Sequence, residues 1–341
     1  MEYAEQLKKT AQAMMAEGRG LLAADESTAT IAKRFKGAAM ENTEEHRRQY
    51  RQLLLETKGA EAFISGVILY DETARQKDDQ GKPFVDGLTD QGIVPGIKVD
   101  IGPRELALHP GEKVTEGLDG LGERFAEYAK MGIGFSKWRA VIIIDGNELP
   151  SQACLEANAH ALARYAALAQ EAGIVPIVEP EVLMDGSHSM ERCLEVTGTA
   201  LDALFAQLMT QGVMLEGTIL KPSMVIGGSA SGTASERQAV AEQTVKCLKE
   251  HVPRELAGVM FLSGGQSDEE ATAHLDAMNK IGDTPWPLSF SYGRALQNPV
   301  LEWWAKGDSD KARAAYLHRA EANSLAAKGQ WTEGFEDNRP Y

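Results

Sequence analysis

The stretch FSKWRAVIIIDGNELPSQACLEANAHALARYAALAQEAGIVPIVEPEV, residues 135–182, decides the fold. Its two ends, residues 135–144 and 173–182, are short and largely apolar on both alternating faces, the pattern of strands buried on two sides. Between them, residues 151–173 are rich in alanine, leucine and glutamate, with Ser151 placed to cap a helix and Gly173 to stop it. Strand, amphipathic helix, strand is the unit from which parallel sheets are built.

Working outward, the same logic recurs along the chain. GLLAADE (20–26), ISGVILY (64–70), VPGIKVD (94–100), LEGTILKPSM (215–224), AGVMFLSGG (257–265) and PLSFSYG (287–293) bring the strand-like runs to eight. The segment 42–59 reads as another helix, with Asn42 as its cap and Gly59 as its stop. No proline-rich or charged linker interrupts the series. The expectation is therefore an α/β chain forming one closed (β/α)8 TIM barrel over residues 1–341, rather than a two-domain doubly wound arrangement. Residues 330–341, polar and glycine-bearing, read as a mobile tail outside the repeating units.

Composition limits what such a barrel would bind. Of 341 residues, 43% are hydrophobic and 25% charged, enough for a well-buried core. A net charge of -15 argues against nucleic acid and anionic membranes as partners, because both repel an acidic protein. Three scattered cysteines, Cys154, Cys193 and Cys247, suggest neither a disulfide framework nor a thiolate metal site and fit a reducing compartment. The start lacks the apolar core of a secretory signal, and no apolar run reaches membrane-spanning length, so cytoplasm is expected.

In a parallel barrel the chemistry gathers where strands finish. Lys221 lies in the sixth run, before a proline that blocks a following helix, so its amine points toward the barrel mouth. Burial and a neighbouring cation such as Lys137 would lower its pKa and free a nucleophile; taken alone, a strand lysine reads more simply as ion-paired. Alternation places Lys137 and Arg139 on one face, opposite Trp138. Glu179 and Glu181 face alike: either they pair with Lys137 and Arg139, or their mutual repulsion raises one pKa and supplies a general acid that also serves as base. Asp25 follows the first run as a carboxylate able to act as base or to hold an ammonium. Ser27 and Thr30 beside it fit helix capping and ligand contact equally.

The LSGGQS motif offers Ser263, Gly264 and Gly265 as an anion cradle, and SYGRAL adds Ser291, Gly293 and Arg294. These motifs follow the seventh and eighth runs, where barrels often hold phosphate. Lys33, Arg34 and Lys98 form a second basic group near the ends of the first and third runs, away from the other, which suggests a ligand with two phosphates. The seven histidines are scattered and no nucleotide-binding glycine motif occurs, so neither a catalytic metal nor another cofactor is expected.

The strings LLAADESTATIAKR, GIKVD, KWRAV, IVEPEV, LKPSM, FLSGGQS and FSYGRAL, in this order over most of the chain, closely resemble class I fructose-bisphosphate aldolase. The resemblance implies metal-independent cleavage of fructose 1,6-bisphosphate in glycolysis and gluconeogenesis. It makes Lys221 the Schiff-base lysine, Glu179 the acid/base carboxylate, Asp25 the base near the scissile bond and Lys137 the assisting cation. It assigns Ser263, Gly264, Gly293 and Arg294 to one phosphate. Ser27, Thr30, Lys33, Arg34 and Lys98 go near the other, with Arg139 and Glu181 lining the site. Tyr341 matches a C-terminal tyrosine whose tail enters the active site, and the family implies a homotetramer. Ile143 stands where the vertebrate members carry lysine, a departure that leaves the named catalytic residues intact. Two other readings remain: a phosphosugar-binding barrel that has lost catalysis, and another Schiff-base barrel, such as a transaldolase, acting on a monophosphate.

Overall fold

The computed structural model describes residues 2–232 and 235–341. Its strands are β1 (Gly20–Ala24), β2 (Ile64–Leu69), β3 (Val94–Lys98), β4 (Gly102–Glu105), β5 (Lys113–Glu116), β6 (Phe135–Ile142), β7 (Val175–Val182), β8 (Ile219–Leu220), β9 (Gly258–Phe261) and β10 (Leu288–Tyr292). Eight of them, all but β4 and β5, close into a parallel barrel in the order β1-β2-β3-β6-β7-β8-β9-β10. Pairing of Leu21 with Ser291 joins β10 back to β1. These are the eight runs read from the sequence.

Alternation along each strand sends one side chain inward and the next against the helices. Leu21, Phe135, Val175, Ile177, Ile219 and Met260 meet in the barrel interior, while Leu22, Trp138, Val178, Leu220 and Phe261 pack outward into the helical layer. The same parity decides where the chemistry goes. Asp25 continues the inward series of Leu21 and Ala23, Lys137 that of Phe135, Glu179 that of Ile177, and Lys221 that of Ile219. Close packing also selects glycine at position 96, where an added Cβ would lie 2.2 Å from the Phe135 ring. The helix Ala4–Met14 seals the far end with Leu7, Ala11 and Met14, each fully buried.

Helix ends follow the chain's local chemistry, with two shifts in one helix. Ser151 caps Gln152–Glu171 by accepting from the Cys154 amide, and Gly173 ends that segment with a positive φ of 73°. At the other helix the cap is Thr43 rather than Asn42: Thr43 Oγ1 accepts from the His46 amide at 3.0 Å, while Asn42 accepts from Arg47. That helix, Glu44–Leu55, stops before Gly59, whose φ of 93° instead opens a short turn at Ala60–Ala62.

The antiparallel hairpin β4–β5 is absent from the eight-run reading. Its strands face solvent and carry charges, so they lack the apolar run that marks a buried strand. Thr115 pins it to the barrel by donating to the Arg139 carbonyl at 2.8 Å, and Glu112 accepts from the Ser151 amide at 2.7 Å.

The tail expected to be loose is docked. Trp331 is buried and donates its amide to Asp276 at 2.9 Å. Glu336, in the 3-10 turn Glu333–Asn338, accepts from the buried Arg319 at 2.6 Å and from Trp331 Nε1 at 3.2 Å. The three cysteines are free and buried. Among the described residues no helix is long and apolar enough to cross a membrane.

Candidate active site

Inward parity and the ends of β1, β6, β7 and β8 bring four ionisable side chains together inside the barrel mouth. Lys137 Nζ lies 2.7 Å from Asp25 Oδ2 and 3.2 Å from Glu179 Oε2, and Lys221 Nζ lies 3.1 Å from Glu179 Oε1. All four are at most 8% exposed. Two ammonium groups and two carboxylates so close form an internally balanced quartet, which is how buried charge is tolerated.

Electrostatics inside the quartet run against one expectation. Burial alone would raise the Asp25 pKa, but Lys137 and Lys221 overcome it and hold the carboxyl well below its usual range. Burial likewise opposes charge on Glu179, and Lys137, Lys221 and Arg139 hold its pKa down instead of up. The expected repulsion from Glu181 is absent because Glu181 pairs with Arg139 Nε. Burial disfavours the Lys137 ammonium, yet Asp25 and Glu179 more than compensate and raise its pKa. Lys137 therefore serves two carboxylates rather than standing as an uncompensated cation beside Lys221.

The quartet sits in a cavity of about 530 Å³. On the β9–β10 side are Ser263, Gly264, Ser291, Gly293 and Arg294. Gly264 and Gly265 turn with φ of 58° and 100°, values that favour glycine, and a Cβ on Gly265 would lie 3.6 Å from Arg294 Nη2. Ser291 Oγ is buried without a hydrogen-bond partner among the described residues. Ser27, Thr30, Lys33, Arg34 and Lys98 line the other side, and Arg139 and Glu181 lie in the wall. Ser27 also caps Thr28–Gly37, so it is both a cap and a cavity residue. Among the described residues Lys33 and Arg294 make no ion pair, whereas Arg34 pairs with Glu26 and Lys98 with Asp100 at 2.6 Å.

The two basic groups are less separate than strand numbering suggests. Closure of β10 onto β1 brings Arg34 Nη2 within 3.8 Å of the point where a Cβ on Gly293 would stand. Tyr341 is outside the cavity: its ring packs against His318, with centroids 5.7 Å apart, and its buried hydroxyl has no hydrogen-bond partner among the described residues. Five residues before it, Glu336 pairs with Arg319.

Sequence reading missed several contributors. Ile101, Gly102 and Pro103 enter the wall because the hairpin folds over the mouth. Asp100, a polar strand-end residue that closes the third run and to which the sequence reading assigns no role, accepts from Lys98, Gly102 and Arg139 together. Arg51, 2% exposed, reaches Glu26 at 2.7 Å. Its signal was a charge set among Tyr50, Leu53 and Leu54 on the buried face of its helix.

A buried lysine touching one carboxylate, a second lysine bridging that carboxylate to another, and a cradle of glycines and cations above them suit carbonyl chemistry on an anionic sugar. The family model for fructose-bisphosphate aldolase class-I matches residues 6–340. The chain belongs to the class-I fructose-bisphosphate aldolase family. It is 58% identical over 330 residues to a probable fructose-bisphosphate aldolase class 1 of Xanthomonas campestris, covering 96% of this chain and 98% of that one. The fructose-bisphosphate aldolase of Dictyostelium discoideum is 51% identical over 336 residues, covering 97% and 94%. A crystal structure of the Plasmodium falciparum aldolase superposes with a TM-score of 0.96 at 49% identity, covering 98% of this chain and 97% of that one.

Proposed function

We propose that this chain cleaves fructose 1,6-bisphosphate to dihydroxyacetone phosphate and glyceraldehyde 3-phosphate through a Schiff base on Lys221. The observation that carries the reading is the buried contact of Lys221 with Glu179 at 3.1 Å, with Lys137 bridging Glu179 to Asp25.

The Lys221 amine attacks the ketose carbonyl carbon and forms a carbinolamine. For this, Glu179, ionised at rest, first takes a proton from the Lys221 ammonium to free the amine; one amine proton passes to the carbinolamine oxygen, and Glu179 returns its own to the departing hydroxyl, so water leaves and an iminium forms. The iminium draws electrons from the C3–C4 bond as Asp25 or Glu179 removes the C4 hydroxyl proton. Glyceraldehyde 3-phosphate departs, leaving an enamine. Protonation of that enamine and hydrolysis return free Lys221 and dihydroxyacetone phosphate. Lys137 aims both carboxylates and favours their charged forms between proton transfers. The glycine turn with Arg294, and the Ser27, Lys33, Arg34 and Lys98 side, hold the two phosphates.

Family membership supports a cytoplasmic homotetramer of single-barrel subunits with residues 330–341 as a tail. Tyr341 assists proton exchange at the enamine carbon only after the tail leaves Arg319.

The test is to incubate the protein with fructose 1,6-bisphosphate and excess EDTA, reduce with borohydride, and locate the modified lysine by mass spectrometry. A triose-phosphate adduct on Lys221 is expected. An unmodified Lys221 in folded protein overturns the reading in favour of a binding-only barrel.

A further inference from the structure

In the cavity wall one carboxylate, that of Glu26, faces two guanidiniums. Glu26 Oε1 accepts from Arg34 Nη1 and from Gln297 Nε2, the latter at 3.0 Å. Gln297 is itself fixed, donating to the Ala23 carbonyl at 2.7 Å and accepting from the Tyr50 hydroxyl at 3.1 Å. Glu26 Oε2 lies 2.7 Å from Arg51 Nη2, yet it forms no hydrogen bond among the described residues. Arg51 is buried, and its Nε and Nη1 have no acceptor among the described residues. Arg34 lines the cavity, with its side chain 22% exposed; Arg51 lies behind it, at 3%.

This arrangement is unfinished in one direction only. Orphaned guanidinium donors are costly in a buried site, and a carboxylate can satisfy two of them side by side. Arg34, by contrast, can find other oxygens in the cavity once a phosphate arrives. The charges balance only then: phosphate opposite Arg34, and Glu26 opposite Arg51.

We infer that Arg51 is a positioning residue that takes over the Glu26 carboxylate when substrate binds, releasing Arg34 to the phosphate. The exchange is a rotation of one carboxylate about the fixed Gln297 contact, with no bond made or broken covalently. It lowers the cost of parting Arg34 from Glu26, so it acts on substrate binding rather than on the chemistry at Lys221. The inference rests on the cavity being a sugar-phosphate site, as proposed above.

The test uses steady-state kinetics with fructose 1,6-bisphosphate on the full chain. Wild-type cleavage checks the proposed function itself, and its absence defeats that reading first. With wild type active, Arg51→Lys keeps one charge but cannot present two parallel donors. It is expected to raise KM about tenfold with kcat within about twofold, the pattern of lost uniform binding. In a Glu26→Gln background the same change is expected to shift KM by less than about twofold, because no carboxylate remains to transfer. A wild-type KM for Arg51→Lys overturns the inference, as does a tenfold rise that persists with Glu26→Gln. Should Arg51→Lys fail to fold, Glu26→Gln alone decides: a KM at or below wild type supports the exchange, and a raised KM sinks it.

Discussion

The two ends of the barrel are made from the same strands and contrasting materials. At the closed end Phe135, Val175, Ile177, Ile219 and Met260 pack against the helix Ala4–Met14. A few residues further along, the same inward parity delivers Lys137, Glu179 and Lys221. Packing at one end fixes strand position, and position at the other end fixes distances of 2.7–3.2 Å between charges. The contrast teaches that the quartet is held by the stiffness of the barrel beneath it, since its own ion pairs also carry a desolvation cost.

The contrast breaks most cleanly at Lys221. Lys221→Ala is expected to lower kcat by about 10⁴-fold or more, because it removes the amine on which the proposed imine forms. Circular dichroism should show an intact fold, and a kcat loss of only a few fold would move the chemistry elsewhere.

Lys137→Met tests whether the charges at the open end depend on one another. An expected loss of about 10²–10³-fold in kcat follows from removing a preorganised charge. With that cation gone, burial dominates and the Asp25 and Glu179 pKa values rise, so the acid limb of the pH–rate profile moves to higher pH. In the wild type both pKa values are depressed by folding. Their contribution to stability is complete above the ordinary carboxylate range, about pH 4, and is lost as pH falls through the lower folded values. An acid limb unchanged by Lys137→Met would show that another group titrates.

At the closed end the pattern reverses. Phe135→Ala removes a fully buried ring and should cost about 3–5 kcal/mol of stability by denaturant titration. The kcat of the protein that remains folded should change only a few fold. A kcat loss as large as that of Lys137→Met would mean that the two ends are not separable.

The smallest effect concerns the tail, a third region outside the contrast. Burial opposes charge on Glu336, but His318, Arg319 and Arg339 hold its pKa down to about 2. Docking should therefore persist above the ordinary carboxylate range and weaken as pH falls toward about 2. Glu336→Gln should speed amide hydrogen exchange in residues 331–341 at neutral pH, with the barrel strands unaffected. Unchanged exchange would show that Trp331 and Phe335 suffice to dock it.

What the sequence made legible follows the same physics. Buried parallel strands announce themselves as apolar runs, so all eight were readable, and parity along FSKWRAV separated Lys137 and Arg139 from Trp138. The hairpin was not readable because its charged strands look like loop. Register across the closing seam was hidden too, since only closure sets β10 beside β1 and brings Arg34 toward Gly293. The direction of the Glu179 shift depended on a partner choice, Glu181 with Arg139, that spacing alone leaves open. Arg51 stood in plain view, but one helical charge among apolar neighbours does not say which carboxylate it meets.

The three buried cysteines bear on the protein's life in oxidising conditions. Burial pushes the Cys154 thiol up to about 11 and the Cys247 thiol up to about 12, and raises that of Cys193 as well. Peroxides attack the thiolate, a form these groups scarcely populate at neutral pH. With carbon–carbon cleavage assigned to an amine and its carboxylates, sugar breakdown through this protein should continue through an oxidative burst that silences thiol-dependent steps around it.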